Sequence, residues 1–200
     1  SESFDSFIVL EDDLVLSEFF FSFMKAALKQ FEHDEKIINI SGFSNLPLAS
    51  KNSENYYLCR RSTSWGWASW SHKWRKIDFN DRNFYSILCF LKLFLISPDL
   101  PFMLRNQKNG VIDSWAIRLV AYQAISEKFS LTPIESHVIN VGTDEHATNV
   151  DLIHQSHVLS TSETNNLYKT KKNQFYIDAF NWLFELFLYF KRLKQRILKK

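Results

Sequence analysis

Four stretches of this chain carry residues whose type and spacing suit chemistry. The first is Glu11-Asp12-Asp13, three consecutive carboxylates directly behind the apolar run Phe7-Ile8-Val9-Leu10. Carboxylates this close repel one another unless a cation sits among them, and hard oxygen donors favour Mg²⁺ or Mn²⁺ over softer metals. An ion held by one or two acids typically neutralises a substrate diphosphate. The plainer alternative is an acidic turn after a strand. The second stretch runs from Arg60 to Trp74 and holds Trp65, Trp67, Trp70 and Trp74, with Gly66 between the first two. Four tryptophans within ten residues are hard to bury together. An indole offers a flat apolar face and one N–H donor, which suits stacking on a sugar ring or base, and Gly66 lets the backbone approach something closely. The competing reading is an aromatic-rich structural turn. Arg60 and Arg61 suit phosphates or the acids, or simply solvent. The third stretch is Val111-Ile112-Asp113-Ser114-Trp115, where Asp113 is either a helix N-cap or a catalytic base delivered by a loop. The fourth, Thr143 to Asn149, is a short polar loop containing Asp144 and His146; no role follows for His146.

These residues need elements to hold them. A continuous apolar run such as Phe7–Leu10 suits a strand buried on both faces of a parallel or mixed sheet. Three acids cannot share that interior, so they belong at the strand's C-terminal end, where α/β sheets open into a ligand crevice. Ser17 is placed to cap a helix over 18–32, with Glu18 in its first turn and Phe20, Met24, Leu28 and Phe31 at core spacing. Strands are predicted at Lys36–Gly42 and Tyr56–Cys59, with a polar loop over 45–55. Phe84 to Ile96 is too short to span a bilayer and reads as a buried helix ended by Ser97-Pro98. Asn109-Gly110 marks a turn. A helical pattern then runs through Ile117, Val120 and Ile125, followed by an extended segment from Thr132 to Gly142. Residues 151–174 read as a polar linker. Residues 175–200 read as a basic amphipathic helix suited to an anionic membrane surface or to a neighbouring domain or subunit.

Two hundred residues, 46% hydrophobic and 23% charged, exclude a disordered or collagenous chain. Nineteen Phe and six Trp against four Gly imply aromatic-heavy packing or aromatic-lined grooves. Lys191, Arg192, Lys194, Arg196, Lys199 and Lys200 crowd the last ten residues; removing those six charges from a net of +2 leaves −4. The mildly acidic body argues against a nucleic-acid surface. Cys59 and Cys89 form no metal or redox spacing and predict free thiols in a reducing compartment. The chain opens a few residues before a fully formed strand, which predicts a preceding part.

In order, I-V-L-E-D-D-L, S-W-G-W-A-S-W, and I-D-S-W-A-I-R with N-V-G-T-D-E-H-A-T-N behind it resemble the acceptor-side half of GT-A-type glycosyltransferases. The nearest likeness is to bacterial family 2-like sugar transferases and the N-acetylglucosaminyltransferase I group. The resemblance covers about residues 5–150 and implies an α/β fold with a mixed sheet flanked by helices. It makes Glu11-Asp12-Asp13 the counterpart of the D-x-D element, with Asp13 the metal ligand for Mn²⁺ or Mg²⁺ and Glu11 and Asp12 on the donor side. Trp65, Gly66, Trp67, Trp115 and Asp144 fall to the sugar or acceptor side. Asp113 is the implied base of an inverting transfer, although Ser114 stands where the family has a second acid. The implied partners are a nucleotide-sugar donor, a UDP-sugar first among them, and a glycan or lipid-linked acceptor in cell-surface polysaccharide assembly. The implied location is the cytoplasmic, inner face of a bacterial membrane. In this family the nucleotide base is held by elements preceding D-x-D, so the donor half is expected upstream of residue 1. The alternative is a truncated, non-catalytic module that binds a membrane or a partner through its C-terminal helix.

Overall fold

The computed structural model of the chain describes residues 4–44, 55–141, 159–161, 166–169 and 174–198. In chain order the elements are β1 (Ser6–Val9), β2 (Leu14–Leu16), α1 (Phe20–Gln30), β3 (Ile37–Ser41), β4 (Tyr56–Cys59), β5 (Trp67–Trp70), α2 (Ser71–Trp74), α3 (Ile87–Ile96), α4 (Leu100–Lys108), α5 (Trp115–Ser126), β6 (Phe129–Pro133), β7 (Val138–Asn140) and α6 (Gln174–Leu198). They form two compact units, 1–76 with 129–171 and 77–128 with 172–200. The architecture is mixed α/β, as predicted.

The first unit is a five-stranded sheet in the order β1–β5–β3–β6–β4, with β2 and β7 forming a separate antiparallel pair. Among the described strands, β3 pairs with β6 in parallel, and β1–β5, β3–β5, β4–β6 and β2–β7 pair antiparallel. Helix α1 forms because Phe20, Phe23, Met24 and Ala27 recur on one face, and all four are fully buried against Ile37, Ile40, Ala68, Trp70 and Leu131. Each large side chain removed from water there contributes about 1.5–3 kcal/mol. Strand β1 departs from the expectation of burial on both faces. It is the end strand of the sheet, and Val9 and Leu10 are exposed. Its apolar run is still explained: Ile8 packs on the α1-side core, while Phe7 on the other face meets Trp67 and Trp74 edge-on.

The expected Ser17 cap is also replaced. Helix α1 starts without a side-chain cap, and the Ser17 hydroxyl instead lies 2.8 Å from His137 Nδ1. Burial of that imidazole, stacked on Phe23, pushes its pKa down to about 4. Lys73 on α2 is buried, and its ammonium donates to the carbonyls of Phe31, Asp34 and Ile37 at 2.8–3.0 Å. It thereby ties α2 to the turn between α1 and β3. Within the span read as a linker, Leu167 belongs to the sheet unit's core, and Lys169 forms a bridge with Tyr56.

The second unit packs α3, α4 and α5 around Phe84, Cys89, Leu93, Leu104, Ile117 and Val120, with α6 against α3. Helix α4 was not legible in the sequence. Helix α3 corrects the reading of 84–96 as a buried helix. Cys89, Leu93 and Ile96 are buried, whereas Ile87, Leu88, Leu91, Phe94 and Leu95 face outward. Neither cysteine is in a disulfide. No helix among the described residues is long and apolar enough to cross a membrane.

Candidate functional site

Antiparallel pairing sets the geometry of the first unit's candidate site. Val9 at the end of β1 lies opposite Trp67 at the start of β5, and Ser41 at the end of β3 is opposite the same Trp67. The residues after β1, those after β3 and those before β5 therefore meet at one end of the sheet. Those residues are Glu11-Asp12-Asp13, Gly42-Phe43 and Thr63-Ser64-Trp65-Gly66.

The acids sit in the turn between β1 and β2, at the C-terminal end of β1 as predicted. Burial raises the pKa of the Glu11 carboxyl; a hydrogen bond with Ser64 opposes the shift, and the charges of Asp13 and Asp12 add to it. Asp13 is held from two sides. Asn140 Nδ2 donates to its Oδ2 at 2.9 Å, and the Val141 N–H donates to its backbone carbonyl at 2.8 Å. Both contacts follow from the β2–β7 register, which sets Leu14 opposite Asn140. Asn140 and Ser64 are site residues that sequence reasoning did not assign. Ser64 lay inside the tryptophan motif; Asn140 carried no local signal beyond ending a strand before a polar loop.

Gly66 does require glycine, but for the protein's own packing. Its φ is +58°, and an added Cβ would stand 3.0 Å from Val138 Cγ2 and 3.2 Å from Phe20. The Gly66 carbonyl accepts from the Gly42 N–H at 2.7 Å, which joins the two loops. Ser41 and Thr63 hydroxyls, 2.7 Å apart, join them again.

The tryptophans separate. Trp65 is half-buried, edge-on to the buried Phe43 at 4.6 Å. Trp67 is 4% exposed, packed against Trp74 at 4.8 Å and against Phe7. Trp70 is buried on the other side of the strand and donates to the Leu28 carbonyl. The expectation that these rings resist burial together is corrected: Trp67 and Trp70 are core residues, and Trp65 and Trp74 are half-buried.

Asp113 and Trp115 belong to the helical unit. Ser114, not Asp113, caps α5, accepting from the Ile117 N–H. Asp113 is left with its side chain 91% exposed, at 3.4 Å from Arg118. Trp115 is the first residue of α5 and is half-buried. Asp144 and His146 lie outside the described residues.

Among the described residues no group of three or more His, Cys, Asp or Glu side chains is placed to hold a metal ion. One or two carboxylates completed by substrate phosphates is the usual Mg²⁺ arrangement, and it needs no such cage. Asp13, with Asn140 on its Oδ2, and Glu11, with Ser64 on its carboxyl, are hard oxygen donors of the type that arrangement uses. Comparison with known proteins finds no protein-family model and no curated protein that matches this chain.

Proposed function

We propose that this chain is the acceptor-side portion of a metal-dependent GT-A-type glycosyltransferase, moving a sugar from a nucleotide-sugar donor to a glycan or lipid-linked acceptor. One observation carries the reading: the Glu11–Asp13 turn and the Ser64-Trp65-Gly66 loop, more than fifty residues apart, share one sheet end, joined through Glu11 and Ser64. That is the C-terminal strand end at which α/β folds bind ligands.

Asp13 would hold Mn²⁺ or Mg²⁺, with Glu11 and Asp12 on the donor side, and the ion would neutralise charge developing on a departing diphosphate. Asn140 keeps the Asp13 carboxylate in one orientation. The half-buried Trp65 offers an apolar face to a sugar ring. The family resemblance gives Asp113 the role of base; its carboxylate is largely exposed, does not cap α5, and lies 3.4 Å from Arg118. Trp67 has a packing role and is given no ligand. The acceptor class suggests a place at the inner face of a bacterial membrane, with the basic C-terminal helix lying on the surface.

Calorimetric titration of the chain with Mn²⁺ and UDP, beside Asp13→Ala, tests the reading. Mn²⁺ binding is expected to vanish in Asp13→Ala, and UDP, held here through its diphosphate alone, is expected to bind only when the metal is present. Equal binding by the variant would remove Asp13 as the ligand. No binding by the parent chain would mean that the site is not assembled from these residues.

A further inference from the structure

Helix α3 places five large apolar side chains in water. Ile87, Leu88, Leu91, Phe94 and Leu95 are between 48% and 82% exposed. They recur at i, i+1, i+4, i+7 and i+8, which is one face of an α-helix. The opposite face, Cys89, Leu93 and Ile96, is fully used by the core of the helical unit. Lys92, the single charged residue of α3, is paired with Glu127 at 3.3 Å. Exposure on this scale marks an interaction surface, because a folded protein rarely leaves so many contiguous apolar side chains in water.

The face continues onto α6. Trp182 Nε1 donates to the Phe94 carbonyl at 2.9 Å, and the two rings meet edge-on at 6.0 Å. Along α6, Leu183, Phe187 and Phe190 recur at i, i+4 and i+7 and are between 57% and 61% exposed. Directly beyond Phe190 the chain carries Lys191, Arg192, Lys194 and Arg196 on the same helix, then Lys199 and Lys200. Neither helix can cross a bilayer. Apolar faces on two adjoining helices, with a dense basic cluster following one of them, complement an anionic lipid surface: side chains enter the acyl boundary while cations meet headgroups. A second copy of the chain would bring like-charged tails together and satisfies this pattern less well.

We infer that the outward face of α3, together with α6, is a membrane-docking surface for an anionic bilayer, with α3 as the inserting element. The inference extends the surface-lying role proposed for the C-terminal helix and rests on it; it is independent of the transferase chemistry.

The test is flotation of the full chain with phosphatidylcholine vesicles, with and without phosphatidylglycerol. Two variants accompany it, Leu88→Gln/Leu91→Gln/Leu95→Gln and Lys191→Gln/Arg192→Gln/Lys194→Gln, with circular dichroism as the fold control. The three leucines are exposed, so their replacement leaves the core untouched. Binding is expected on anionic vesicles, reduced about tenfold or more by either variant. If the α3 variant binds like the parent while the tail variant is lost, the inference about α3 is overturned and the surface role of α6 survives. If the parent chain does not float with anionic vesicles, both fail. If the α3 variant abolishes self-association of a parent chain that ignores vesicles, the face joins copies of the chain and the inference is likewise overturned.

Discussion

Asp13 and Asn140 form the contact on which the proposed metal chemistry turns. A carboxylate that is to hold an ion must present one oxygen in a fixed direction, and the Asn140 amide on Oδ2 supplies that constraint. Asn140→Ala should weaken Mn²⁺ affinity about 10–100-fold, the usual cost of losing an outer partner of a ligand. Calorimetry reads the affinity, and a thermal melt separates it from unfolding; an unchanged affinity would take Asn140 out of the site. The place of the three acids at a strand's end could be read from the sequence, because charges cannot share the strand's interior, and the proposed ligand role of Asp13 comes from the family resemblance. Asn140 could not be read there, because its meeting with Asp13 across 127 residues is decided by strand pairing.

Strand β5 shows how an element can reverse the meaning of a motif. Trp67 and Trp70 stand three residues apart, so the period of two sends them to opposite faces. Trp67 packs with Phe7 and Trp74, and Trp70 packs on the α1 side. That division is how the tryptophan-rich segment is buried without crowding. Gly66, directly before the strand, sits in the left-handed region, with Val138 and Phe20 where a Cβ would point. Gly66→Ala should destabilise the fold by about 1–3 kcal/mol, from backbone strain and the forced shift of its neighbours. A lowered urea midpoint with an unchanged slope would register this. An unaltered midpoint would show that the loop relaxes at no cost. Helix α3 teaches the complementary lesson. Its apolar run identified a helix, but hydrophobicity all around it gave no sign of which face meets protein.

At the scale of the molecule, the units are interleaved in sequence, with residues 77–128 set between two segments of the sheet unit. No composition change near residue 77 marks this, since both sides mix aromatic and charged residues. The sheet unit is closed by His137, whose carbonyl accepts from the Ser17 N–H and whose N–H donates to the Gly42 carbonyl. Its buried imidazole titrates at about 4, against an ordinary 6.5. The unfolded chain therefore takes up a proton at this residue before the folded chain does. Stability is full above pH 6.5, falls as the pH drops from 6.5 towards 4, and loses nothing more from this group below that. The gap corresponds to about 3 kcal/mol. Urea unfolding between pH 7 and pH 4 should show a shallower decline for His137→Asn than for the parent chain. Equal slopes would mean that the imidazole accepts its proton while folded.

The α/β class, many of the helices and strands, and the place of the acids at a strand's end are legible in the residues alone. Each of these follows from local periodicity or from the cost of burying a charge, and both are written in neighbouring residues. Long-range packing makes β1 an end strand, turns Ser17 towards His137 and away from a helix cap, and buries Trp67 while leaving Trp65 half-buried. It alone brought Ser64 to Glu11 and Asn140 to Asp13. Those outcomes depend on which strand pairs with which, a choice settled by the packing of distant segments.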